Sequence, residues 1–193
     1  MIYAVILAAG QSKRLKGENK LIKKYNNKPL ITYIVNTFKK SKVNKIIIVL
    51  GYQNKKVKKI IKKNKKIIFV INKKFHLGIS TSIKSGIKNI SIKQKGFIIA
   101  QSDMPFIKPT DINKICNSIN KGKYLVHALK FKNNIGNPIG FDTSLLNKFK
   151  KIKGNVGAKS LVKKLRKKTN FIQVKSKRVF KDFDLKKDFN LPV

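Results

Sequence analysis

A chain of 193 residues, 41% of them hydrophobic, is long enough to bury a core and is not a disordered polymer; it fits one compact domain over residues 1–193. The formal net charge of +40, from 47 basic and 7 acidic residues, points on its face to a polyanion partner. A single cysteine, Cys116, excludes an intrachain disulfide and a cysteine-based zinc site, and no apolar run reaches the roughly 20 residues of a membrane span.

The elements are predicted in chain order from apolar runs and turn residues. Ile2–Ala8 is continuously apolar, as in a strand buried on both faces. MIYAVILAAG lacks a charged leader and reads as that strand, not as a signal peptide; the expected location is cytoplasmic. Pro29–Phe38 has helical spacing with proline at its start. Lys45–Leu50 is a second strand, closed by Gly51, and Asn54–Lys63 a helix. Ile67–Ile71 is a third strand, and Ser80–Ile90 a helix with hydroxyl residues available as caps. Gly96–Ala100 is a fourth strand, followed by a helix over Thr110–Ile119 behind Pro109. Strands over Tyr124–Leu129 and Pro138–Phe141, a helix over Gly157–Lys167 and a strand over Phe171–Val174 complete the pattern. Alternating strands and helices predict an α/β fold with a mainly parallel sheet. Ligands of such sheets bind beyond the carboxyl ends of the strands, here after Ala8, Leu50, Ile71 and Ala100.

The charge has a second explanation. Only Arg14, Arg166 and Arg178 are arginines. Lysine, isoleucine and asparagine dominate, all have A/T-rich codons, and the lysines are spread evenly. Coding bias accounts for this pattern. A nucleic-acid module would interleave base-stacking aromatics with its basic residues, whereas the aromatics here sit mostly in apolar runs, so no specific nucleic-acid partner is expected.

Two constellations carry chemistry. The first is AAGQSKRLKGENK, directly after the first strand. Ala8, Ala9 and Gly10 leave room for a ligand against the backbone. Gly10 and Gly17 can turn N–H groups toward an anion. Arg14 and Lys20 add a fork and a point charge for phosphate oxygens. An ordinary strand-to-helix turn with surface lysines is the competing reading. Neither GxxxxGK[ST] nor GxGxxG is present. The second constellation is acidic: Asp103 in SDMP, and Asp182 and Asp184 in KDFDLKKDF. Mg²⁺ takes one or two carboxylates plus substrate phosphates, but on spacing alone these are equally turn residues. His76 and His127 read as packing or surface residues, and Cys116 as core.

LAAGQSKRLKGENKLI resembles the signature of molybdenum-cofactor nucleotidyltransferases, in which LAAGxSxR, a glycine and a lysine bind the NTP. The likeness covers nearly the whole chain, in the order loop, base segment, DMP, GNP, GxxGA and DxD. It is greatest to the cytidylyltransferase branch of this MobA-like group. The resemblance implies a three-layer Rossmann-like nucleotidyltransferase domain that moves CMP from CTP onto the phosphate of molybdopterin and releases pyrophosphate, with Mg²⁺ as cofactor and a molybdoenzyme as recipient of the product. It implies nucleotide contacts from Leu7, Ala8, Ala9, Gly10, Arg14 and Lys20, and from Gly78, Ser80 and Ser82 in HLGISTSIKSGI. Catalytic roles fall to Arg14, Lys20 and Asp103. Asp103 and Asp184 are the implied metal ligands, with Asp182 as the alternative to Asp184. GNPIGF places Asn137 and Pro138 at the acceptor, and GNVGAKSLV adds a further acceptor-side segment. The chain departs from the pattern at Lys16, where the group has glycine, and at Leu185-Lys186, where Thr-Pro is common. Ala9, in place of the second glycine of LAGG in GTP-using relatives, favours CTP. Another NTP, or a sugar phosphate or isoprenoid-precursor phosphate as acceptor, is the rival within the class.

Overall fold

The computed structural model describes residues 1–15 and 18–192. Lys16 and Gly17, two positions of the predicted phosphate loop, lie outside them. Seven strands form one sheet: β1 (Ile2–Ala8), β4 (Lys45–Leu50), β5 (Ile67–Ile71), β6 (Gly96–Gln101), β7 (Val126–Phe131), β8 (Asn134–Asp142) and β9 (Thr169–Gln173). Their order is β5-β4-β1-β6-β8-β7-β9. Only β8 is antiparallel to its neighbours, β6 and β7; β1, β4, β5 and β6 pair in parallel, as do β7 and β9. A short hairpin of β2 (Lys24–Tyr25) and β3 (Lys28–Pro29) stands apart.

The alternation of side chains along a strand explains the three layers. From β1, Ile2, Ala4, Ile6 and Ala8 enter one core with α1 (Leu30–Lys39), α2 (Asn54–Ile60) and α4 (Pro109–Lys121). Val5 enters the opposite core with α3 (Ile79–Ile87), α5 (Leu146–Lys150) and α6 (Lys159–Lys164). Both faces of the central strands are covered, so their sequences are apolar without a gap. A third, smaller cluster joins Tyr25 of the hairpin to Leu30 and Phe183.

The structure corrects several expectations. The helix after Gln53 ends at Ile60, short of Lys63. The expected hydroxyl caps of α3 are not used. Its N-cap is Gly78, and Ser80, Thr81 and Ser82 lie within the first turn. β8 starts at Asn134, not at Pro138. Its pairing with β7 jumps from Ala128↔Ile139 to Leu129↔Gly136, so Asn137 and Pro138 form a bulge. Proline has no N–H to give to a ladder and is tolerated there.

Candidate active site

The loops beyond the carboxyl ends of β1, β5 and β6 enclose a cleft of about 420 Å³. It is lined by Ala9 and Gly10 after β1, by Phe75, His76 and Gly78 after β5, by Ser102 and Asp103 after β6, and by Lys20. A side chain on Gly10 would meet nothing among the described residues within 4 Å, so the open space begins at its backbone. Leu7, Ile79, Gln101 and Asn155 line this cleft and also a second one of about 470 Å³. The second cleft carries Asn134, Asn137, Gly157, Lys159, Lys177 and Asp182. The two clefts are thus neighbours sharing one wall.

Asp103 and Asp184 meet at the edge of the first cleft although they are far apart in sequence. Lys20 Nζ donates to Asp103 Oδ2 and, at 2.6 Å, to Asp184 Oδ1. Arg14 Nη1 donates to Asp184 Oδ2. The Lys20 side chain is only 15% exposed. Burial by itself would push its ammonium down, but Asp103 and then Asp184 outweigh this and hold it above the usual lysine value. Lys20 is therefore a fixed cation.

The C-terminal segment is strapped onto this centre. Phe183 N donates to the Asp103 carbonyl at 2.9 Å. The Phe183 ring is fully buried, edge-on to Tyr25, Phe106 and Phe189. Anchoring that ring leaves the flanking aspartates outside the aromatic cluster. Asp184 turns to Lys20, and Asp182 lines the second cleft. Asp188 fixes the segment from the other end. Its buried carboxylate accepts from the Asp184 and Leu185 N–H groups, each at 2.8 Å, and from Lys181 Nζ at 2.7 Å.

The α3 side is built as closely. Gly78 has φ +105°, and a Cβ there would lie 2.5 Å from the Gly154 carbonyl oxygen. Only glycine lets this turn press against the 154–155 loop, whose Gly154 carbonyl accepts from Ser80 N. Asn72, buried at the end of β5, donates to Thr81 Oγ1 at 2.9 Å and Ser82 Oγ at 3.0 Å.

The sequence-predicted residues therefore divide. Leu7, Ala9, Gly10, Lys20, Gly78, Ser82 and Asp103 line the first cleft and Asn137 the second. Ala8, Ser80 and Pro138 are buried in the walls. Arg14 and Asp184 meet at the rim. His76 and Lys13 line the first cleft with no prior sign. Asn72 and Asn155 were hidden among many asparagines. His127 has no place in the site. It is buried against Ser118, at 2.7 Å, and burial pushes its imidazole down to about 4.

The donor set fits a hard divalent cation. Two carboxylates converge, and Asp103 Oδ1 is buried with no hydrogen-bond partner among the described residues, which is how an oxygen reserved for a ligand looks. No group of three or more His, Cys, Asp or Glu side chains that could hold a metal occurs among the described residues. Substrate oxygens would have to complete the shell.

Comparison with known proteins agrees with this architecture. A bifunctional protein GlmU from Buchnera aphidicola is 33% identical over 152 residues, 78% of this chain and 32% of that protein. The chain thus spans about a third or less of the length of the curated relatives it matches. The solved structure of Rv0371c from Mycobacterium tuberculosis superposes with a TM-score of 0.84 at 18% identity, covering 98% of this chain and 95% of the other. A nucleotidyl transferase from Methanothermobacter gives 0.82 at 20% identity, with 98% and 94% covered. Molybdopterin-guanine dinucleotide biosynthesis protein A from Archaeoglobus fulgidus gives 0.73 at 15% identity, with 97% and 95% covered. At such identities these structures speak for the fold. The family model described as the MobA-like NTP transferase domain matches residues 4–169, and with that span the chain belongs to the MobA-like NTP transferase family, a family of nucleotidyltransferases.

Proposed function

We propose that the chain transfers CMP from CTP to the phosphate of a molybdopterin-type acceptor with release of pyrophosphate, dependent on Mg²⁺. The observation that carries the proposal is the convergence of Asp103, Asp184, Lys20 and Arg14 beside two adjoining clefts. One cleft suits a nucleotide and the other a phosphate-bearing acceptor. In the first, Gly10 lets the triphosphate approach the backbone, and Ser82 and Gly78 face the nucleoside. Ala9 stands where GTP-using relatives carry a second glycine, which favours CTP. In the second, Lys159 and Lys177 offer cations, and Asn137 and Asn155 offer amides, to an anionic, heteroatom-rich acceptor.

An acceptor phosphate oxygen attacks the α-phosphorus. A new P–O bond forms, the bond to the bridging oxygen breaks, and pyrophosphate leaves with that electron pair. Lys20 and Arg14 neutralise the charge that builds on the departing phosphates. No side-chain nucleophile is required, since an ionised phosphate is already one. The chain's part is positioning and charge complementarity. Asp103 and Asp184 would hold the divalent ion, which when bound supplies charge neutralisation at the α-phosphate.

Thermal stabilisation by each of the four NTPs with Mg²⁺ tests the proposal, on wild type and Asp103→Asn. A ligand at 100 times its Kd adds roughly 2.7 kcal/mol. CTP-selective, Mg²⁺-dependent stabilisation is expected, weakened in the variant, and turnover with molybdopterin should fall by about 10²-fold or more. GTP selectivity would overturn the base assignment. Normal turnover by Asp103→Asn would overturn the metal assignment.

A further inference from the structure

The two carboxylates assigned to the metal are already matched by cations of the chain itself. Lys20 spans Asp103 and Asp184, and Arg14 takes the second oxygen of Asp184. Two ligating carboxylates meet two cations, and Asp182 adds a further negative charge felt at Asp103, so the pull of the centre on another cation is largely offset. The Lys20–Asp103 pair is also well shielded, with side chains 15% and 12% exposed. Water screens such a pair much less than a surface pair. A divalent ion arriving alone would meet this ammonium already seated between the two carboxylates, with only Asp103 Oδ1 left without a partner among the described residues. A triphosphate changes the balance. Lys20 lines the nucleotide cleft itself, so phosphate oxygens arriving there offer it a new partner.

We propose that Lys20 is an internal counter-ion that closes the two-aspartate site to free divalent metal, and that nucleotide opens the site by drawing the ammonium onto its phosphates. This rests on the assignment of Asp103 and Asp184 as metal ligands. It gives Lys20 a second task beyond phosphate contact, the coupling of metal entry to nucleotide entry. The coupling is reciprocal: nucleotide raises metal affinity by the factor by which metal raises nucleotide affinity.

Protein-bound Mn²⁺, followed by water-proton relaxation at mildly alkaline pH, tests this on wild type, Lys20→Met and the double variant Asp103→Asn/Asp184→Asn. Each is measured with and without a non-hydrolysable CTP analogue, and circular dichroism verifies folding. Wild type should bind Mn²⁺ weakly alone and tightly with the analogue. Lys20→Met should bind Mn²⁺ alone roughly tenfold or more tighter than wild type, and the analogue should add little to it. Lys20→Arg, which keeps the cation, should stay close to wild type. Binding of Mn²⁺ alone equally by wild type and Lys20→Met, with the double variant silent, would overturn the counter-ion role and leave the ligand assignment standing. Undiminished binding by the double variant would overturn both.

Discussion

Asp188 shows how much one side chain can set without touching a substrate. Its carboxylate holds two consecutive backbone N–H groups, those of Asp184 and Leu185, and one ammonium. Asp188→Ala would leave both N–H groups without their partner, at a cost of about 1–3 kcal/mol in urea unfolding. It would also loosen Asp184 and so weaken metal and nucleotide binding together. The pH dependence has a definite sign. Burial works against the ionised form, but Lys181 and the two N–H groups outweigh it and hold the Asp188 carboxyl below its ordinary value. A lowered carboxyl stabilises the fold above the unfolded value of about 3.9. That stabilisation disappears as pH falls through the folded value. The gap in unfolding free energy between wild type and Asp188→Ala should therefore be widest near neutrality and shrink in acid. A gap independent of pH would mean that the carboxylate charge is irrelevant to the loop.

At the level of elements, the turn into α3 is the tightest joint in the site. Gly78→Ala would place a methyl at a positive φ and against the Gly154 backbone, costing about 1–3 kcal/mol. Because Asn155 lines both clefts, the displaced loop should raise KM for nucleotide and acceptor alike, measurable as a joint rise by steady-state kinetics. A rise for one substrate only would separate the two clefts. The strands were the most legible elements in the sequence. β4 and β5 have the predicted bounds, because each is an unbroken run of mostly β-branched apolar residues closed by a turn or polar residue, Gly51 and Asn72. The β2–β3 hairpin was not foreseen. Asn26 and Asn27 turn it with φ 45° and 62°, a fair hairpin signal, but its strands are two residues each. Five-residue α5 is too short to show a period. α2 was drawn too long because a run of lysines carries no stop signal. In the site, the carboxylates and the glycine loop could be picked out because acidic residues and arginines are rare here. The clamp of Asn72 on Thr81 and Ser82 could not, since it depends on β5 ending beside α3.

At the level of the molecule, the lysine surplus does not mark the site, yet it is not inert. No helix among the described residues is long and apolar enough to cross a membrane. β5 is one of the two outer strands of the sheet, with only β4 beside it. An open strand edge can pair with a copy of itself. Here Lys55, Lys58, Lys59, Lys62, Lys63 and Lys65 surround a groove that also exposes Ile67 and Phe69. Two such edges would bring two dense cation arrays together. The repulsion reaches about 10 Å in 0.1 M salt and about 3 Å in 1 M salt. Light scattering should therefore show a dispersed protein at low ionic strength and growing association as salt rises. Replacing Lys62 and Lys63 with glutamine should move that onset to lower salt; an onset unmoved by the change would clear this edge of the role. A lysine surplus that does not mark the substrate clefts would then decide the ionic strength at which the chain stops keeping its copies apart.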